Sequence, residues 1–280
     1  MDAFFRRIVA LDRRWIFLVL LVTLFAPIAC PLNLSGLKAS PGVSAMYNHV
    51  EGMKEGQTIL VSFDFDPASA PELEPMAIGI MRHAFRKKLK VVAMGLWVTG
   101  LTLEKKIVEE AAAEAKAVYG VDYVNLGWKP GSVAVITGMG EDIYSTFPTD
   151  TKGSAVGTIP LMKDLRRLKD FDLVVSIAAG TPGIDTWIAY GADKYKFKIG
   201  GGTTAVQSPA MAVYLQAGQL VGLIPAMRGA AEYEFLLDRP GTGTKGVDAI
   251  SLGHYLIVAL ILLGNLAWFV TRRNAAGVKA

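Results

Sequence analysis

Apolar and polar positions fall in blocks along this chain, and the blocks differ between the two ends and the middle. Trp15 to Leu34 and Leu252 to Val270 hold no charged residue, and each has about the 20 residues that cross a hydrocarbon core at 1.5 Å per residue. Between them the apolar runs are shorter. Thr58–Phe63, Leu89–Leu96 and Phe171–Ala178 are continuous and rich in β-branched residues, the pattern of strands buried on both faces. Tyr123–Leu126, Lys196–Ile199 and Leu220–Ile224 are shorter candidates, and Ser132–Met139 fits a strand or a helix. Pro71–Lys88 repeats Leu73, Met76, Ala77, Ile80, Met81, Ala84 and Phe85 at spacings of three and four, as a helix covering a sheet does. Further helices are expected at Met46–Gly52, Thr102–Tyr119, from Gly183 to Tyr190, at Pro209–Ala217 and at Arg228–Leu237.

Strands that alternate with helices and carry no polar face imply a mostly parallel sheet covered on both sides. The expected fold is therefore a Rossmann-like three-layer α/β domain flanked by two transmembrane helices. The chain divides into an amphipathic cytoplasmic start over 1–14, a span over 15–34, an extracytoplasmic α/β domain over 35–250, a span over 251–271 and a cytoplasmic tail over 272–280.

Composition sharpens the membrane reading. At 52% hydrophobic and 19% charged residues, the chain is too apolar for disorder and high for an ordinary soluble enzyme. Its net charge of +4 comes from the ends: Arg6, Arg7, Arg13, Arg14, Arg272, Arg273 and Lys279 leave 22 of 29 basic and 23 of 25 acidic residues between positions 35 and 250. A nucleic-acid partner is not expected, because it would need basic residues on the folded domain. The same clusters orient the spans, since Lys and Arg gather on the cytoplasmic side. Four Arg precede the first span and only Lys38 follows it closely, while Arg272, Arg273 and Lys279 follow the second. Both termini are expected in the cytoplasm of a cell (inner) membrane.

Two processing alternatives fit the first segment less well. Pro27 and Ile28 spoil both the small-residue pattern of a cleaved signal and the approach to a lipidated Cys30. Phe4, Phe5, Ile8, Val9 and Leu11 interleaved with arginines fit a helix lying on an anionic leaflet or a plain flank of the anchor. Cys30 is the only cysteine, so the exported domain can hold neither a disulfide nor a thiol-based metal site.

Candidate chemistry lies where strands end, because ligands of open parallel sheets sit beyond the carboxyl ends. Asp64 and Asp66 follow the first strand; two carboxylates at i and i+2 there resemble the opening of a haloacid-dehalogenase phosphatase, which implies a nucleophilic Asp and Mg²⁺. The pattern departs at Ala68, where Thr or Val is wanted, and no later Asp pair completes it. The structural alternative has Asp66 or Ser69 capping the next helix. Gly180, Thr181, Pro182 and Gly183 form a second loop whose backbone amides suit an anion, with Pro182 in the first helical turn. Gly200, Gly201, Gly202, Thr203 and Thr204 form a third, offering positive φ and two hydroxyls. These loops are expected to converge on one cleft.

The remaining candidates read as structural. His83 beside Arg82 and Arg86 is expected as a solvated or packing residue, Arg228 and Glu232 as a helical ion pair, and Gly241–Gly246 (GTGTKG) as a flexible tether. Ser62, Ser176 and Ser208 have no G-x-S-x-G context. The expected function is a non-enzymatic, oligomeric scaffold or assembly subunit in contact with membrane lipid, with no cofactor, and with copies of itself or other membrane subunits as partners. The alternative is a small-ligand receptor or hydrolase using the strand-end loops, with any metal left open.

Overall fold

A computed structural model describes residues 4–5, 7, 10–30 and 38–277, with the backbone alone for 273–277. Of the amphipathic start over 1–14, residues 1–3, 6, 8 and 9 lie outside the described residues. Contacts divide the chain into two units, Leu37–Gly243 and the paired ends Met1–Gly36 and Thr244–Ala280.

The ends unit holds α1 (Arg13–Ala29) and the closing helix α11 (Thr242–Gly277). Among the described residues, one helix, α11, is long and apolar enough to cross a membrane. Within this unit a Cβ on Gly253 would come within 2.8 Å of Leu24, so the two helices touch where a glycine removes bulk. The GTGTKG stretch is not a tether, because α11 begins at Thr242 and the Gly241 and Gly243 amides donate to Glu234 at 2.9 and 3.0 Å.

The second unit is built on six strands: β1 (Thr58–Asp64), β2 (Lys90–Gly95), β3 (Tyr123–Trp128), β4 (Leu173–Ala178), β5 (Ile199–Thr203) and β6 (Leu223–Pro225). Their order is β3-β2-β1-β4-β5-β6, and every pairing is parallel. The chain reverses direction across the sheet between β1 and β4, which is the switch point where this topology opens a crevice.

Helices cover both faces because successive strand residues point to opposite sides. On one face Ile59, Val61 and Phe63 meet α2 (Pro41–Glu51), α3 (Ala70–Arg86), α4 (Leu101–Ala115) and α10 (Ala226–Leu236). On the other, Leu60, Val92 and Val174 meet α5 (Val133–Glu141), α6 (Ile143–Thr146), α7 (Ile184–Trp187) and α9 (Ser208–Gln216). The ambiguous run at Ser132–Met139 is helical, as α5. A π turn at Ile188–Ala192 and the short α8 (Asp193–Tyr195) follow α7, so the helix expected to reach Tyr190 is broken. The link from Phe147 to Phe171 uses short 3-10 turns and buries Val156, Met162 and Leu168.

The largest departure from expectation is the triple glycine. Gly200, Gly201, Gly202 and Thr203 are not a loop but the body of β5, fully buried between β4 and β6. Helices press so close that a Cβ would stand 2.5 Å from Met46, 2.6 Å from Ile184 and 2.5 Å from Met76 at the three positions. The glycines make room for neighbours instead of bending the chain.

Candidate functional site

The switch-point edge is governed by Asp64, the last residue of β1. Registry puts Ser62 beside Ser176 and Asp64 beside Ala178, and Ala178 beside Thr203, so the ends of β1, β4 and β5 do lie together. The Asp64 carboxylate is fully buried and accepts four hydrogen bonds: from Ser62 Oγ (2.8 Å), Leu96 N (2.8 Å), Ser176 Oγ (3.0 Å) and Trp187 Nε1 (3.3 Å). Burial pushes its pKa up to about 6, against those donors, which pull the other way. It ties β1 to β2, β4 and α7. A carboxylate so enclosed has no open face for attack, which answers the phosphatase resemblance. Ser62 and Ser176 serve as its donors.

Asp66 stands apart from this network. Its Oδ1 accepts from Ser69 N (3.0 Å) and Ser69 Oγ (2.7 Å), which holds the turn into α3 and keeps its pKa below the usual value. A strand junction and a turn are therefore locked by carboxylates that sequence spacing alone makes look like a metal pair. Among the described residues no cluster of three or more His, Cys, Asp or Glu is placed to hold a metal ion.

The glycine loop after β4 is packed shut. Thr181 Oγ1 donates to Asp185 (2.9 Å), the Thr181–Pro182 peptide is cis, and the helix starts at Ile184, so Pro182 precedes its first turn. At Gly183 a Cβ would meet Gly180 O at 2.2 Å, so only glycine allows this fold-back. Trp97, from the loop after β2, crosses the switch point: its indole N–H donates to Pro182 O at 2.7 Å, and its ring lies 3.7 Å from where a Gly180 Cβ would be. Glu72 of α3 accepts from Ala205 N at 2.9 Å, fastening the loop after β5. The space left, lined by Gly180, Thr203, Asp185 and Met211, is about 10 Å³, about the minimum that one water needs. The expected loops meet around this space.

Two further buried groups lie outside that edge, and one of them, His83, is the residue expected as solvated or packing. His83 is completely buried, with Nδ1 2.6 Å from Tyr233 Oη and Nε2 2.8 Å from Glu51. A carboxylate only accepts, so Nε2 carries the hydrogen and Nδ1 accepts from the tyrosine. Burial lowers the His83 pKa to about 4, and His83, Lys87 and Arg86 hold Glu51 at about 2. This is a packing histidine, and it is not solvated. Arg228 and Glu232 pair at 3.0 Å as the helical spacing implies.

Glu104 is the other. It is 1% exposed and neither carboxyl oxygen has a hydrogen-bond partner. Burial, then the charge of Asp64, push its pKa up to about 8, with the neighbouring Asn125 pulling down. Its signal was available: Glu104 shares the helix stripe of Ile107, Val108 and Ala111, although Glu109, Glu110 and Glu114 made the helix look uniformly wet.

No family model and no curated protein matches the chain. Among solved structures it is similar to a trehalose-6-phosphate synthase, OtsA, at 10% identity and a TM-score of 0.30, over 85% of this chain and 47% of that one. The chain thus spans about half the length of that enzyme, and a likeness at this level carries no functional argument.

Proposed function

We propose that the chain is a membrane-anchored assembly subunit that associates with further copies of itself and is not a catalyst. The observation that carries this reading is the surface of α9. From Ile199 to Met227 there is no charged residue, yet α9 and its approach stand at the surface, with Val206 87% and Val213 62% exposed. Val206, Pro209, Ala210, Val213 and Ala217 are all exposed at the three- and four-residue spacing of one helix face. Monomeric proteins rarely leave a continuous apolar face uncovered. In a two-fold contact each patch meets its own copy, so a charge there would face its like, and a face without charges suits that geometry.

Anchoring supports the same reading. α11 has the length and apolarity for one span, and α1, at 17 residues, stands at the short limit for a second. The Lys and Arg bias at both ends favours a hairpin with the α/β domain outside the cytoplasm. Ligand capture at the strand ends has less support, because Asp64 is occupied by internal donors. The test is the mass of the detergent-extracted protein by light scattering. A multiple of the single-chain mass that falls to one chain in Val213→Glu supports the proposal; a parent already at single-chain mass defeats it.

A further inference from the structure

The edge strand β3 and helix α4 enclose a cavity of about 340 Å³, within the range of small-molecule sites and far larger than the space at the switch point. Its walls are Leu101, Val108 and Tyr123, with Lys105 and Lys152 among its polar lining residues and Asn125 also contributing to the lining. The Lys152 ammonium lies over the Tyr119 ring at 3.6 Å from its centroid. Glu109 is the one acid in the lining, so with two lysines the balance is positive.

Two independent features point at the Asn125 end. The β2–β3 register slips there, Asn125 pairing with Ala93 and Gly127 with Met94, a bulge of the kind that re-aims a side chain beside functional sites. Asn125 Oδ1 accepts from Gly127 N at 2.7 Å, and the Asn125 side chain lies near enough to Glu104 to pull its pKa down. Behind it sits the Glu104 carboxyl, on the helix stripe of Leu101 and Val108, its Oε2 3.3 Å from the place a Gly95 Cβ would take. A buried carboxyl with no partner is costly and rarely kept without a use.

We propose that this cavity binds a small organic anion with an apolar body, a carboxylic acid of about benzoate size, its acid group between Lys105 and Lys152 and its body on Leu101, Val108 and Tyr123 against Asn125. Glu104 stays uncharged beneath the site and so does not repel the anion. This inference goes beyond the assembly reading and does not depend on it.

The experiment uses 4-fluorobenzoate as the probe and the full chain in zwitterionic detergent, read by fluorine NMR line broadening, with 4-fluorobenzylamine as the comparison. Expected are saturable broadening of the acid alone, loss of that broadening when Val108→Trp fills the cavity, and about tenfold weaker binding in Lys152→Glu, a change on the exposed loop that leaves the core intact. The groups around the site besides Glu104 include Lys105, Lys152, Glu109 and Tyr119, with Asp150 bonded to Tyr119 and Asp64 acting on Glu104; the pKa of Asp64, about 6, and that of Tyr119, about 12, both lie outside the window between pH 7 and 9. Binding should therefore weaken across that window as Glu104 ionises, and Glu104→Gln should bind without the weakening. Absence of broadening, equal broadening of the amine, or unchanged binding in Lys152→Glu would overturn the proposal.

Discussion

The strand-end edge and the face of α9 differ in what they leave unsatisfied. At the edge the polar groups are matched internally: Asp64 has four donors, Asp66 has Ser69, and the Trp97 indole has the Pro182 carbonyl. On α9 the reverse holds, since valines stand in solvent with no charge nearby in sequence. Fold topology marks the first place as a binding crevice, yet its chemistry is spent on holding strands together. The unspent surface is apolar and lies elsewhere. Topology alone thus names a location, and hydrogen-bond accounting decides whether anything remains there for a partner.

The comparison breaks most sharply at Asp64. Asp64→Ala would leave four buried donors unpaired, each worth about 1 to 3 kcal/mol, so a loss of at least about 4 kcal/mol is expected in denaturant unfolding. A small loss would mean that water reaches the edge, and the crevice would then be open after all.

Glu104 supplies a contrasting carboxyl, buried without donors. Its folded pKa of about 8 lies above the 4.5 of an unperturbed glutamate. The folded state therefore keeps a proton that the unfolded state sheds, and the Glu104 contribution to stability falls as pH rises from about 4.5 to about 8, by roughly 1.4 kcal/mol per unit. Glu104→Gln removes that slope and should be about 3 kcal/mol more stable than the parent at pH 7. A stability difference between the parent and Glu104→Gln that is the same at pH 5 and pH 8 would show that Glu104 is partnered or hydrated.

Asp66 gives the smallest effect. Its hydrogen bonds to Ser69 act as a helix-entry cap, so Asp66→Ala should cost about 1 kcal/mol at neutral pH. Because its pKa is lowered by those bonds, the contribution is present above the ordinary aspartate value and fades as pH falls through the lowered one. A several-fold larger cost would revive a role for Asp66 beyond the turn.

How much of this was legible in the sequence varies with what each residue signals. β1 and β4 are mostly apolar runs rich in β-branched residues, so their burial, and the parallel sheet that follows from it, could be read directly. β5 could not, because three glycines carry no hydrophobic signal and the volume is filled by Met46, Ile184 and Met76 from distant segments. The position of Asp64 at a strand end was readable, but its enclosure was not, since Trp187 and Ser176 arrive from more than a hundred residues away. Trp97 was silent for the same reason. Glu104 was within reach: it continues the apolar stripe of α4, and a charged residue on a buried stripe is the feature to question first.

The claim that α9 is a self-association face is tested most directly by crosslinking. In a Cys30→Ser background, Val213→Cys places one thiol on that face, and Lys88→Cys places one on a well-exposed position elsewhere. Mild oxidation in native membranes should give covalent dimers from Val213→Cys at low protein density and none from Lys88→Cys. Monomers from both, or dimers from both alike, would contradict the account.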